Sequence, residues 1–137
     1  MPSRAQKLGR LVSLMKLQLR LSEWQLAQLR QREQDLQDEQ VYLVGALNGT
    51  ELPTGSSSES ISRRLTSAGV GARAVQVEAS RQVDQVQKES RRLKQLEQVA
   101  RTVLADKLRD QERRSLEEMT SAHPGADDWT STKNRWN

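Results

Sequence analysis

The chain has 137 residues, 34% of them hydrophobic, with three tryptophans, one tyrosine, no phenylalanine and no cysteine. So few large apolar side chains exclude a wide globular core, and the missing cysteines exclude disulfides, thiolate metal sites and cysteine nucleophiles. The net charge of +4 is divided along the chain, with a basic segment at residues 1–32 and an acidic one at residues 33–59, whereas a nucleic-acid-binding protein more often keeps a single basic stripe.

The first predicted element is a long helix over residues 3–48. Ser3 followed by Gln6 fits a capping box at its start. Apolar residues then recur at alternating steps of four and three, the a/d rhythm of a coiled coil, and we call these positions the seam. The seam contains Leu8, Val12, Met15, Leu19, Leu26, Leu29, Leu36, Leu43 and Leu47, with vacancies at Ser22, Glu33 and Gln40. A helix of this length is not stable alone and needs a packing partner.

A glutamine stands at every third position of residues 25–40. Because each helical residue turns by about 100°, steps of three drift around the cylinder and do not form one face. We therefore interpret the glutamines as solvated surface around the seam, with Gln40 as the one member that falls on it.

The chain is predicted to break at residues 49–60, where Asn-Gly, a proline and a serine run follow one another. Residues 61–72 are helical in composition, but Gly69 and Gly71 weaken them, so a short helix or turn is predicted there. A second long helix is predicted over residues 73–121. Its expected seam contains Val75, Ala79, Val83, Val86, Leu93, Leu96, Ala100, Val103 or Leu104, and Leu108.

Two long helices joined by a short break fold back most simply on each other. The predicted fold class is all-α, an antiparallel two-helix coiled-coil hairpin over residues 1–122 with a disordered C-terminal tail at residues 123–137. The alternative is that each chain supplies its helices to another copy instead of pairing them internally.

Candidates for chemistry are few. His123 is the one histidine, and a single histidine without cysteine does not build a common zinc site. The stretch "GVGA" at 69–72 does not follow a strand, so it is not a nucleotide-binding fingerprint. We predict a protein without enzymatic activity, metal or cofactor. Neither a secretion signal nor a spanning helix is recognised in the sequence, so a cytoplasmic location is expected.

A second apolar stripe at the start of the first helix exceeds what a two-helix hairpin needs. It consists of Leu11, Leu14, Leu17, Leu21 and Trp24, with the basic residues Arg10, Lys16 and Arg20 beside it. Surplus apolar surface usually marks a partner site, and the basic residues would steer an acidic protein. The alternatives are that the second helix or another copy covers the stripe, or that it lies on a membrane surface.

A further candidate surface lies at the predicted tip of the hairpin. Val41, Tyr42 and Val44 are apolar and only partly required by the seam. The amphipathic ring of tyrosine is suited to interfaces. These residues either bind a protein or pack against the turn.

The stretch "LGRLVSLMKLQLRLSEWQLAQLRQREQDLQDEQ" and the plan around it resemble the FliJ proteins of bacterial flagellar type III export, and YscO-type proteins of virulence secretion share that plan. The shared features are a small cysteine-free chain, two long helices rich in glutamine, arginine and glutamate, a polar break, and a polar C-terminus. The resemblance is architectural and covers residues 1–120.

This resemblance implies a coiled-coil stalk that contacts a hexameric export ATPase and the export-gate membrane protein, interacts with export chaperones, and helps to couple ATP hydrolysis to protein export. It implies a cytoplasmic protein that can associate peripherally with the inner membrane. Because the charge is divided along the chain, no nucleic acid is expected among its partners. The competing hypothesis is a self-associating coiled-coil scaffold or adaptor unrelated to secretion.

Overall fold

The computed structural model describes residues 1–49 and 57–121, and the regular elements of that part of the chain are two α-helices. Helix α1 spans Arg4–Asn48 and helix α2 spans Ser58–Ser121. The two helices pack against each other, which confirms the all-α fold class. Of the predicted break at residues 49–60, residues 50–56 lie outside the described residues and residues 58–60 belong to α2, which corrects the prediction there. The predicted tail at residues 123–137 also lies outside the described residues.

Both helices begin at a serine cap. The Ser3 backbone N–H donates to Gln6 Oε1 at 3.0 Å, and the Gln6 N–H donates to Ser3 Oγ at 3.2 Å. This reciprocal pair is the capping box expected from the sequence. Helix α2 is capped by Ser57, whose Oγ accepts a hydrogen bond from the Ser60 N–H at 3.1 Å. Each cap satisfies backbone donors that have no partner inside the helix.

By their packing the residues form two units, a larger one of residues 13–94 and a smaller one that joins residues 1–12 to residues from 95 onward. Polar contacts fix the helix direction within the larger unit. Gln82 Nε2 donates to the Ser22 carbonyl at 3.0 Å, and Gln76 Nε2 donates to Glu33 Oε1 at 3.1 Å. The position on α2 falls as the position on α1 rises, so the helices run antiparallel, as predicted for a hairpin.

The predicted seam of α1 is confirmed at every position. All its apolar members from Leu8 to Leu47 are buried or half-buried, and so are the three vacancies. Leu43 is fully enclosed, and Ser22 is buried although it is polar. On α2 the buried apolar residues are Ile61, Ala68, Ala72, Val75, Ala79 and Leu93. The core is therefore one narrow line of side chains, as the low content of large apolar residues requires.

The prediction of a separate short helix or turn at residues 61–72 is wrong, because α2 runs through them without a break. The two glycines explain the difference. A Cβ on Gly69 would lie 3.1 Å from Gln40 Nε2, and one on Gly71 would lie 3.5 Å from Leu36 Cδ1. Both glycines thus face α1, and contact with α1 outweighs the low helix propensity of glycine.

In the smaller unit the seam of α2 agrees with the prediction at position 103 and differs from it at position 108. Of the two residues left open by the sequence, Val103 is half-buried and Leu104 is about half exposed. Leu108 is about half exposed, and Lys107 is half-buried instead. Residues 108–121 are all exposed. The first residues of α1, Ser3 to Ala5, line an open groove with Val103 and Lys107, so α1 begins at this level of α2. C-terminal to Lys107, α2 continues without a neighbouring helix among the described residues of this unit.

Candidate docking surface on helix α1

Four of the large apolar side chains that α1 exposes in the larger unit lie close together, between positions 14 and 24. Leu14, Leu17, Leu21 and Trp24 expose 63%, 59%, 56% and 59% of their surface, and we call them the docking face. Their steps of three, four and three repeat the rhythm of the seam at a different position on the helix. Since each residue turns by about 100°, Leu17 and Trp24 lie roughly opposite the seam. Helix α1 therefore carries two apolar stripes, and α2 covers one of them.

The exposure of the docking face decides between two interpretations of the sequence. If α2 had packed on these residues, they would be buried like Leu43, which has no exposed surface. More than half of each side chain instead faces away from the described residues. The four residues form a row of about ten residues of helix, roughly 15 Å long. A row of this length accommodates about three turns of a second helix or an apolar edge of another protein.

Two residues predicted with this stripe belong to the smaller unit. Leu11 is 45% exposed, and Arg10 is exposed as well. The docking face that the larger unit presents therefore begins at Leu14. Leu11 and Arg10 remain exposed candidates for contact with a partner.

The charges beside the docking face are mainly positive. Lys16 and Arg20 are exposed, and no acidic residue occurs on α1 before Glu23. A shallow groove on the same helix is lined by Leu26, Ala27 and Arg30, together with Glu23 and Gln31. Positive charge beside an apolar row attracts an acidic surface and fixes its orientation without adding much affinity.

The residues predicted at the tip are also exposed. Val41, Tyr42 and Val44 expose 74%, 60% and 43% of their surface, while Leu43 between them is buried in the seam. Val70 of α2 is exposed as well, at 65%, and sequence reasoning did not select it. Its neighbour Gly69 lies on the seam, so the phase of α2 at that point would have indicated an outward position for Val70.

Helix α2 buries a carboxylate that the sequence analysis did not select. Glu89 is 6% exposed, and its Oε1 accepts a hydrogen bond from Gln85 Nε2 at 2.9 Å. Among the described residues its Oε2 has no hydrogen-bond partner. The predicted seam of α2 has a gap between Val86 and Leu93, and this gap could have indicated that Glu89 is buried. Because the carboxylate is buried, we assign it to the core of the hairpin and not to a site open to a substrate.

The glutamine row behaves as solvated surface. Gln31 and Gln34 are exposed and donate to Asp35 and Asp38 one turn ahead, both at 2.9 Å. Gln40 is half-buried on the seam beside Gly69. The row therefore does not form a continuous binding surface.

Among residues 1–49 and 57–121, no group of three or more histidine, cysteine, aspartate or glutamate side chains is placed to hold a metal ion. Within the same residues neither helix contains an apolar stretch long enough to cross a bilayer. His123 lies outside the described residues. A scan of protein-family models and searches of curated proteins and solved structures gave no significant match to the chain.

Proposed function

We propose that this protein is a non-enzymatic coiled-coil stalk that binds another protein through the docking face of Leu14, Leu17, Leu21 and Trp24. The observation that carries the proposal is that these four side chains are exposed while the seam on the same helix is complete. The hairpin does not use them for its own packing. A contiguous apolar row on the surface of a soluble helix usually marks a contact with another molecule.

The size of the surface supports a specific contact. Burying a leucine side chain fully contributes about 1.5–3 kcal/mol, and large aromatic residues contribute more. Four such residues in one row supply enough apolar area for a core of an interface, with tryptophan as an anchor of the kind that dominates many interfaces. Lys16 and Arg20 at the edge favour a partner with an acidic surface.

We assign the partner by the resemblance of the chain to FliJ-type proteins. The proposed partner is the hexameric ATPase of a type III protein export apparatus, and the stalk would couple its ATP hydrolysis to the export of protein substrates. The export-gate membrane protein and export chaperones are the further partners in this proposal, and the exposed tip residues Val41 and Tyr42 are candidates for one of these contacts. The protein would then act in the cytoplasm, at the inner face of the membrane.

The proposal is tested by measuring binding of the purified chain to a purified hexameric export ATPase from the same genome, by sedimentation or interferometry. Leu17→Asp places a charge in the middle of the docking face and is expected to reduce affinity at least tenfold. Val77→Asp is the matched control, because Val77 is also about half exposed in the larger unit but lies on α2. Circular dichroism must show the same helicity for both variants.

Three results would contradict the proposal. The wild-type chain fails to bind the ATPase, or Leu17→Asp binds as tightly as the wild type, or Val77→Asp loses binding to the same extent as Leu17→Asp. Loss of helicity in Leu17→Asp would mean that Leu17 belongs to the core of the hairpin, which also removes the basis of the docking face.

A further inference from the structure

A separate apolar stripe lies on the last turns of α2, in the smaller unit. It consists of Leu104, Leu108, Leu116 and Met119, which expose 49%, 51%, 64% and 59% of their surface, and we call it the terminal stripe. With about 100° per residue, these four side chains fall within roughly one third of the helix circumference. Val103 and Lys107, which are half-buried, lie on a different side. The terminal stripe is therefore not a continuation of the seam.

The helix that carries this stripe has little to stabilise it. Residues 108–121 are all exposed, and an isolated helical segment of this length is marginal in water. Its last turn contains no basic residue, although Glu117 and Glu118 lie there. Negative charge near a helix C-terminus interacts unfavourably with the helix dipole. A partner that buries the stripe and brings positive charge beside the last turn would correct both deficits.

The two ends of this segment carry complementary charges when two copies run antiparallel. Lys107 lies near its start and Glu118 near its end, whereas Glu112 lies at its centre and would meet Glu112 of the second copy. Within the chain, Arg109 pairs with Asp106 at 4.0 Å and Arg113 pairs with Asp110 at 3.3 Å. Neither Lys107 nor Glu118 takes part in an ion pair among the described residues. These two charges are thus available to meet each other across two copies.

We propose that the terminal stripe is the contact for a second copy of this chain, bound antiparallel about a two-fold axis near residue 112. In this arrangement Leu108 lies opposite Leu116 of the second copy, and Leu104 lies opposite Met119 of the second copy. Lys107 of each copy lies beside Glu118 of the other, so the same ion pair forms twice. Such a contact is isologous, because the same patch serves both copies.

The dimer is weak. The overlap covers residues 104–119, about 24 Å of helix, and it buries far less surface than the roughly 1,600 Å² of a stable interface. Association is therefore concentration-dependent, and it weakens when salt screens the two exposed ion pairs. This contact is independent of the docking face, which lies on α1 in the other unit.

Sedimentation equilibrium of the full chain over a wide concentration range tests the proposal, without any export component present. The wild type is expected to move from monomer to dimer as its concentration rises. Leu108→Asp is expected to raise the dissociation constant at least tenfold. Val77→Asp is the matched control and leaves the dissociation constant unchanged, because Val77 is also about half exposed on α2 but lies in the larger unit. Since Leu108 is half exposed and lies beyond the seam, circular dichroism should show the hairpin of Leu108→Asp intact.

A charge exchange tests the antiparallel arrangement itself. Lys107→Glu and Glu118→Lys each place like charges opposite each other and weaken the homodimer severalfold. An equimolar mixture of the two variants restores two opposite-charge pairs, so it associates more strongly than either variant alone.

Each opposite result overturns the proposal. Failure of the mixture to associate more strongly rejects the antiparallel register. Undiminished association of Leu108→Asp rejects the stripe as the contact. If the wild-type chain stays monomeric at every concentration, the homodimer is rejected. The stripe would then contact another protein or residues 122–137.

Discussion

Gly69 of α2 lies directly against Gln40 of α1, so that a Cβ added to the glycine would be 3.1 Å from the Gln40 Nε2 atom. This contact brings the helices together at the point where the seam of α1 is polar. The Gln40 amide is the end of a flexible side chain, so it can move by a few tenths of an ångström. The tight approach therefore depends on a small residue at position 69 more than on glycine itself.

The glycines of α2 are predicted to differ in their response to alanine. At position 71 the new methyl group would make an ordinary contact with Leu36, 3.5 Å away, so Gly71→Ala is expected to raise the free energy of unfolding by about 1 kcal/mol through helix propensity. Gly69→Ala should gain less, because Gln40 must move. Urea unfolding monitored by circular dichroism measures both. A larger gain at position 69 than at position 71 would contradict the packing described here.

Replacing the buried carboxylate of Glu89 by leucine is predicted to stabilise the hairpin. One carboxylate oxygen accepts a hydrogen bond from Gln85, and the other has no partner within residues 1–49 and 57–121. An incompletely paired buried carboxylate is costly. Glu89→Leu should raise the free energy of unfolding by about 1–3 kcal/mol.

The matched control for Glu89 is Glu78→Leu, because Glu78 is an exposed glutamate of the same helix. Its replacement should change stability by no more than about 0.5 kcal/mol. Both free energies are measured by thermal and urea unfolding. A destabilised Glu89→Leu variant would show that the carboxylate is better satisfied than its surroundings indicate.

Leu43 is predicted to be among the most sensitive positions of the chain. Leu43 has no exposed surface, and Ile61 of α2 exposes only 1% of its surface. Leu43→Ala should lower the free energy of unfolding by about 2–5 kcal/mol through lost burial and a cavity. Val41→Ala, two residues away and 74% exposed, should change it by less than about 0.5 kcal/mol. Equal losses in the two variants would contradict the assignment of the seam.

Helix α1 was predictable position by position because its seam is set by a local rhythm. The steps of four and three continue through Ser22, Glu33 and Gln40, and the structure buries or half-buries all three. The docking face could also be predicted, because apolar residues of α1 that do not belong to the seam must face outward. In both cases the information lies within a few turns of one helix.

Helix α2 was less predictable because its details depend on α1. The low propensity of Gly69 and Gly71 suggested an interruption, and only the neighbouring side chains of α1 explain why the helix continues. Near the end of α2 the sequence left Val103 and Leu104 open and selected Leu108, but the half-buried residues are Val103 and Lys107. The phase of the second helix is thus decided by a partner that is distant in sequence.

The hydrogen bond from the Gln82 amide to the Ser22 carbonyl has a consequence for how the two helices are aligned. The small side chain at position 22 leaves this carbonyl accessible, and Gln82 also donates to Gln25 Oε1 at 3.3 Å. A slip by one heptad would set Gln82 against Met15 or Leu29, where a bulky side chain blocks the carbonyl and the amide loses its acceptor. The heptad rhythm alone would tolerate such sliding. This hydrogen bond, together with the one from Gln76 to Glu33, holds the two helices at one offset.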